Sequence, residues 1–429
     1  MKAFQFETGP DFPKRMDSCD ALSSYRDAFH IPKRSAVGGS GDSACTYLCG
    51  NSLGLQPKKA REFVLQELSD WERLAVEGHF HSKNPWLPYH EFLTPSLARL
   101  VGAKDSEVVA MNTLTVNQHL MMVSFFQPQG PRNKLLIGWH AFPSNRYAAV
   151  SHLKSRGLEP GQHLLELEPR PGESVVRTEE IEAFLQRYGD SVSLIFLEGV
   201  NYYSGQALEF ERIIKAAHAA GCLIGFDLAH AAGNLDLRLH DWGADFAVWC
   251  SYKYLNGGPG CVAGCFVHER HAERPELPRY AGWWGNNKET RFLMGPDFDL
   301  IPGAEGWQLS NPPILPLACL RASLELFDQA GISPLREKSV LLTGYLEFLV
   351  RNLSREELKI ITPADPHQRG CQLSISAGPA AKQVLEQLSK HGVVCDFREP
   401  DVIRVAPAPL YNSFQDVYDF SEILGRCLR

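Results

Sequence analysis

The middle of this chain alternates between two hydrophobic patterns. Short, nearly unbroken apolar runs lie at 108–111, 134–138, 164–167, 192–197, 222–226, 244–250 and 262–267. Runs of this length without polar interruption predict strands buried on both faces, as in parallel sheets. Between them lie stretches with helical spacing, at 57–76, 90–101, 116–126, 178–188 and 210–220. Pro57 opens the first of these and Gly78 follows its end, the usual punctuation of a helix. Alternating strand and helix from residue 50 to about residue 300 predicts an α/β fold on a mostly parallel sheet.

Past Gly282-Trp283-Trp284-Gly285 the alternation loosens. A long helical run over 314–352 is broken around 331–334, and strands are predicted at 371–376 and 402–405 with a helix at 381–391. That pattern predicts a smaller α+β domain packed on the large one. At the other end, 17–34 contains a short helix, 37–43 is a flexible connector, and 46–48 is a brief strand. The resulting division is an N-terminal segment (1–49), a large α/β domain (50–310) and a small C-terminal α+β domain (311–429). The N-terminal segment is expected to pack with the small domain.

Composition narrows the functional classes. Of 429 residues, 44% are hydrophobic and 22% charged, the balance of an ordinary globular protein. A net charge of −7 without a Lys/Arg block argues against nucleic-acid binding. No apolar run approaches the roughly 18 residues of a membrane span, and the first residues lack a signal-peptide core. The expectation is a cytoplasmic protein with no membrane partner. Eleven scattered cysteines, none in Cys-x-x-Cys, read as buried thiols of a reducing compartment. His79-Phe80-His81 lacks a third ligand, so no metal is expected.

The candidate chemistry sits at strand ends. The run 222–226 delivers Asp227, followed by Leu228, Ala229 and His230, and the run 244–250 delivers Ser251, Tyr252 and Lys253 before a turn rich in glycine. Open α/β sheets bind ligands beyond the carboxyl ends of their strands. A lysine and an acid there suit pyridoxal phosphate, which needs an amine for its Schiff base and an acidic partner for its ring nitrogen. Other stretches stay open between two readings. Gly50-Asn51-Ser52-Leu53-Gly54 is a plain turn or a close backbone approach, and 112–115 ahead of a helix is a phosphate site or an N-cap by Thr115. Phe142, beyond a strand end, stacks on a flat ligand or packs in the core. The segment 79–88 is predicted to be a loop rich in aromatics and proline.

Taken together, the chain from about residue 47 resembles the kynureninase family, pyridoxal-phosphate enzymes of fold type I, the aspartate-aminotransferase-like fold. The resemblance rests on GNSLGLQP (50–57), MNTLTVN (111–117), AFPSN (141–145), GFDLAHAAGN (225–234), WCSYKYLNGG (249–258) and GWWG (282–285). It rests more particularly on SNPPIL (310–315), EKSVLLTGYLE (337–347), GCQL (370–373) and RVAPAPLYNSF (404–414). It implies hydrolysis of L-kynurenine or 3-hydroxy-L-kynurenine to an anthranilate and L-alanine, in tryptophan degradation and NAD biosynthesis. It also implies a homodimer with active sites shared at the interface.

By the same resemblance, Lys253 carries the cofactor, Asp227 pairs with its ring nitrogen and His230 lies beside it. Leu114, Thr115, Ser144, Asn145 and Tyr252 also line the cofactor, Phe142 stacks on it, and Trp283 reaches the phosphate from the partner chain. Arg404 holds the substrate carboxylate, while Ser52, His79 and Asn311 face its aromatic end, Asn311 touching the cofactor as well. Tyr252 is the candidate general acid, alongside Lys253 and Asp227 as the catalytic set. His79 and Asn311 suit a ring hydroxyl, which favours the 3-hydroxy substrate. Two positions depart from the family pattern. Asn145 stands where the family usually has Asp and supplies no charge, and Glu198 stands where other members carry small or non-acidic residues. The rival readings are a cysteine-desulfurase-like lyase, which needs a mobile loop cysteine whereas Cys371 and Cys395 lie in strand-like surroundings, and a non-catalytic binding protein on the same scaffold.

Overall fold

The computed structural model describes residues 5–272, 274 and 276–428. Seven strands form the main sheet: β1 (Val108–Ala110), β2 (Lys134–Ile137), β3 (Leu164–Glu166), β4 (Val192–Glu198), β5 (Leu223–Asp227), β6 (Phe246–Trp249) and β7 (Gly264–Val267). Their spatial order is β1-β7-β6-β5-β4-β2-β3. From β6 through β3 every neighbouring pair is parallel, and β7 runs antiparallel to both β6 and β1. This is the mostly parallel sheet expected from the unbroken apolar runs.

The runs are unbroken because both faces are covered. Along β4, Ile195 and Leu197 join one apolar core while Leu194 and Phe196 join the other. Successive side chains of a strand point to opposite faces, so a strand covered twice carries no polar alternation. Two glycines make this packing possible. Gly225 pairs with Phe246 and Gly264 with Trp249, and a Cβ on either would come within 2.1 Å of the partner's ring.

The smaller sheet is antiparallel, with Lys359–Ile360, Leu373–Ser376, Val402–Val405 and Asp396–Arg398 in that order. Its core takes Leu342, Tyr345 and Leu346 from the helix Ile332–Asn352, the inner face of Phe414–Cys427, and Phe12 and Leu48 from the N-terminal segment. That segment reaches both units: Thr46–Tyr47 pairs with Val393–Val394, while Leu22 and Phe29 pack in the core of the large sheet. The helix Ile314–Ala330, assigned by sequence to the small domain, also buries Leu317, Leu320 and Leu324 in the large core.

Several elements differ from the sequence expectation. The helix expected at 116–126 begins at Leu114, so its N-cap is Thr113 and not Thr115. The first helix is Asp11–Ser18, ahead of the expected 17–34, where only a 3-10 turn at Ser23–Ala28 forms. The segment expected as a loop from 79 opens inside a helical turn, Gly78–His81. Two long helices among the described residues had no sequence reading. Pro143–Ser155 buries Asn145 and His152 beside Ala148 and Ala149, so it shows no clean apolar stripe. Phe414–Cys427 carries a capping box in which Ser413 and Asp416 satisfy each other's backbone N–H. Among the described residues no helix is long and apolar enough to cross a membrane.

The close approach at Gly264 gives a stability prediction. Gly264→Ala drives a methyl into the Trp249 indole and should cost about 1–3 kcal/mol, the usual range for overpacking. Gly161→Ala, at a glycine with nothing within 4 Å, should stay within about 0.5 kcal/mol of wild type. Urea unfolding of the two variants checks the pair, and equal losses would show that the β6–β7 contact is not tight.

Candidate active site

The carboxyl ends of β4, β5 and β6 deliver three ionisable side chains to one edge of the sheet. Glu198 is the last residue of β4, Asp227 the last of β5, and Lys253 follows β6 after a turn from Cys250. Gly54 of the Gly50–Gly54 turn donates its N–H to Tyr252 O at 2.8 Å, and a Cβ there would lie 2.3 Å from Lys253 O. That turn is therefore the close backbone approach, and it braces the lysine-bearing segment from outside. Thr113, Leu114 and Thr115 enter from the start of the helix Leu114–Phe125, and Phe142 and Ser144 from the start of Pro143–Ser155.

These residues surround one cavity. Its lining is Thr113, Leu114, Thr115, Phe142, Ser144, Glu198, Val200, Tyr202, Asp227, Ala229, His230, Tyr252 and Lys253. Asp227 is held by Ala229 N–H on Oδ1 and by Asn145 Nδ2 on Oδ2, each at 2.8 Å. Burial nonetheless pushes its carboxyl up from the ordinary range. Lys253 Nζ donates to His230 Nε2 at 3.1 Å. Burial, and then the charge of Lys253, hold His230 well below its usual value. The ring is thus neutral, with its proton on Nδ1, a buried atom that has no partner among the described residues. Burial raises the Tyr252 phenol well above its ordinary value, so it keeps its proton at neutral pH.

Glu198 is 9% exposed and engaged through its side chain. Oε1 accepts from Phe142 N–H and from Asn145 Nδ2 at 3.2 Å, and Oε2 accepts from Asn201 Nδ2 at 3.1 Å. Burial first, and the neighbouring Asp227 second, push its carboxyl up to about 8.

The donor set fits a pyridoxal-phosphate-like ligand. A lysine amine faces the cavity, a buried carboxylate waits at a strand end, and Thr115 Oγ1 lies 2.9 Å from Ser144 Oγ where two helices begin. Free backbone N–H groups at a helix start, with hydroxyls beside them, suit a phosphate.

Other residues singled out by sequence lie elsewhere in the single chain. Arg404 is buried and pairs side-on with Asp396, Nε to Oδ1 at 2.6 Å and Nη2 to Oδ2. Its Nη1 donates to Tyr202 O at 2.8 Å, which joins it to the cavity wall. Asn311 lines a second cavity that shares Thr113 with the first. His79 meets Trp86 edge-on at 5.4 Å, and its buried Nδ1 has no partner among the described residues. Ser52 stays in the bracing turn, and Trp283 is 40% exposed with its Nε1 donating to Arg291 O at 3.3 Å. Sequence reasoning missed Thr113, Val200, Tyr202, Ala229 and Asp396. The first four follow predicted strand ends by two to five residues, a signal that was available.

With this geometry in view, comparison with known proteins decides the family. Residues 335–424 match the model of the kynureninase C-terminal domain. A kynureninase of Myxococcus xanthus is 56% identical over 421 residues, covering 98% of this chain and 98% of that one. The chain belongs to the kynureninase family. A kynureninase of Nematostella vectensis is 47% identical over 98% of this chain and 94% of its own. With family membership go the activity, hydrolytic cleavage of a kynurenine, and the cofactor, pyridoxal phosphate.

Solved structures support the fold independently. The cysteine desulfurase CsdA of Escherichia coli superposes with a TM-score of 0.75 at 17% identity, over 95% of this chain and 98% of its own. A C-DES mutant with glycine covalently linked to its cofactor gives a TM-score of 0.74 at 16% identity, over 89% and 96%. That likeness is one of fold, and a desulfurase reading of this kynureninase-family chain has no cysteine to stand on. Neither Cys371 nor Cys395 lines the cavity, and burial raises both thiols, Cys371 to about 12.

Glu198 supplies a pH prediction for the cofactor-free protein. Unfolded, its carboxyl ionises near the ordinary 4.5; folded, near 8. Between those values the folded chain holds a proton that the unfolded chain has released, so this contribution to stability is lost as pH rises. The limiting slope is about 1.4 kcal/mol per pH unit. Glu198→Gln removes it, so melting temperatures should shift in favour of the variant between about pH 5 and pH 8. A difference that stays flat over that range would contradict the buried, proton-holding state of Glu198.

Proposed function

We propose that the cavity at the ends of β4, β5 and β6 is the catalytic centre, and that the reaction is divided among its residues as follows. The observation that carries this reading is Lys253 and Asp227 delivered from adjacent parallel strands to one cavity that opens on a helix start. Asp227 holds the ring nitrogen of the cofactor, while Thr113, Leu114, Thr115 and Ser144 take its phosphate. Phe142, with its ring centroid 5.9 Å from Lys253 Nζ, covers its face. Bound there, pyridoxal phosphate supplies an electron sink for a substrate carbanion.

The chain's own groups do the rest. Lys253, with the neutral His230 as its acceptor, moves the proton at the substrate's α-carbon. Tyr252, kept protonated by burial, donates at the departing carbon. Overall, one water is added across the bond between the β-carbon and the γ-carbonyl, leaving an anthranilate and alanine. Arg404 recognises the substrate carboxylate. Of its five N–H donors, two go to Asp396 and one to Tyr202 O, which leaves one on each of Nη1 and Nη2. Two donors at the end of a planar fork match the two oxygens of a carboxylate.

Three finer points complete the proposal. The working unit is a homodimer, supported by exposed Trp283, Phe292, Leu293 and Met294 on one short stretch, with Trp283 reaching the phosphate across the interface. The preferred substrate is the 3-hydroxy compound, supported by the unpartnered His79 Nδ1 and by Asn311 beside the neighbouring cavity. The compartment is the reducing cytoplasm, supported by eleven cysteines that are all free. The division at 49/50 and 310/311 remains the proposed domain plan, with Ile314–Ala330 as the strap between the two units.

Purified protein with pyridoxal phosphate and each kynurenine should release arylamine and alanine in equal amounts, and Lys253→Ala should release neither. Cofactor bound to Lys253 with no product from either substrate would overturn the assigned reaction. The efficiency should be higher on 3-hydroxykynurenine, and a clear preference for kynurenine would remove that assignment. Arg404→Lys keeps the charge but loses the fork, so kcat/KM should fall at least about tenfold, mostly through KM. An unchanged KM would move the carboxylate to another residue.

A further inference from the structure

One acid in the cavity has no part in the chemistry above. Glu198 and Asp227 are Cα partners at the ends of adjacent parallel strands, which brings two buried carboxylates to one edge. A single amide serves both: Asn145 Nδ2 lies 2.8 Å from Asp227 Oδ2 and 3.2 Å from Glu198 Oε1. An amide nitrogen has two N–H bonds, so each acid can take one. Glu198 is fixed on its other sides by Phe142 N–H and by Asn201 Nδ2. Asn201 is locked in turn, its Oδ1 accepting from Tyr203 N–H, Ser204 N–H and Ser204 Oγ. The charged or titratable groups facing Glu198 are Asp227 on β5, Lys253 beyond β6 and Tyr202 in the loop after β4.

We propose that Glu198 is a positioning residue for the cofactor: through the shared Asn145 amide it holds Asp227 in place against the ring nitrogen, and its own charge sets the field at Lys253. The inference rests on the cavity being the pyridoxal-phosphate site. Its physical content is a dependence between positions 145 and 198. While Glu198 is present, residue 145 has to be a donor to both acids. A carboxylate there would gather three buried acids with no donor between them, and at least one would have to take up a proton. Burial keeps Glu198 protonated, and repulsion from Asp227 adds to it; a ring cation paired with Asp227 would relieve the second of these and move Glu198 toward its charged form.

Two substitutions separate charge from geometry. Glu198→Gln keeps an oxygen for Phe142 N–H and for Asn145 but removes the charge. The pH midpoint of the absorbance change of the lysine-linked cofactor should then fall by about half a unit or more, since an anion favouring its protonated form is gone. Asn145→Asp should weaken pyridoxal phosphate binding, measured by titrating cofactor-free protein, at least about tenfold. Adding Glu198→Gln to Asn145→Asp removes one of the three acids and should recover most of that loss. Thermal melts show which variants are folded, and the double variant keeps the test decisive if Asn145→Asp alone folds poorly. An unchanged midpoint in Glu198→Gln, or losses that simply add in the double variant, would overturn the role of Glu198. If wild-type protein forms no lysine-linked absorbance with pyridoxal phosphate, the reading of the cavity falls first, and this inference with it.

Discussion

A charged carboxylate buried at a strand end has to be supplied with donors, and much of this molecule is arranged around that demand at Asp227. Burial works against its ionised form, and the counterweights come from three separate parts of the chain: the Ala229 N–H in the turn just after it, the Asn145 amide from a neighbouring helix, and the Lys253 ammonium from the next strand end. Each source needs its own support. The helix Pro143–Ser155 has to bury Asn145, at the expense of a clean apolar face, and the lysine segment has to be braced by the turn at Gly54. The covered sheet supplies the low dielectric that gives those donors their effect.

The small antiparallel sheet meets the wall of the same cavity from outside, through Arg404 and the Tyr202 carbonyl. Asp396–Arg398 pairs with Val402–Val405 so that Asp396 lies opposite Arg404. Cross-strand neighbours on one face are close enough for a side-on ion pair. The pairing fixes the long arginine, and Nη1 ties the assembly to Tyr202 O in the loop after β4. A buried arginine is tolerable here because its donors are already committed at one edge of the fork.

What was legible in the sequence follows from the range over which each signal acts. The strands of the large sheet were readable because burial on both faces writes itself as a local apolar run, and Asp227 and Lys253 because they sit at the ends of such runs. The helix start was misplaced by two residues because Thr113, Leu114 and Thr115 offer similar local signals and tertiary packing chose among them. Pro143–Ser155 was missed because its buried face is partly polar: Asn145 reaches Asp227, and His152 bonds His119 and Arg156. Asp396 was missed because its partner lies across a hairpin, a pairing that composition does not announce. Glu198 was visible only as an odd residue, and its meaning needed the in-register neighbour on β5.

That neighbour relation has a consequence for how the protein reaches its working state. Side chains on a strand alternate in direction, so sliding β4 past β5 by one residue would turn Glu198 away from the cavity. Hydrophobic burial alone guards poorly against such a slip, because Leu194, Ile195, Phe196 and Leu197 are apolar on both faces and either face would accept them. The polar residues at the strand ends break that degeneracy. A slipped pair would leave the Asn145 amide facing one acid and bury the other among side chains that cannot solvate it. The polar groups that line the cavity thus also act as alignment marks for the sheet, and an error in strand pairing is penalised at the cavity itself.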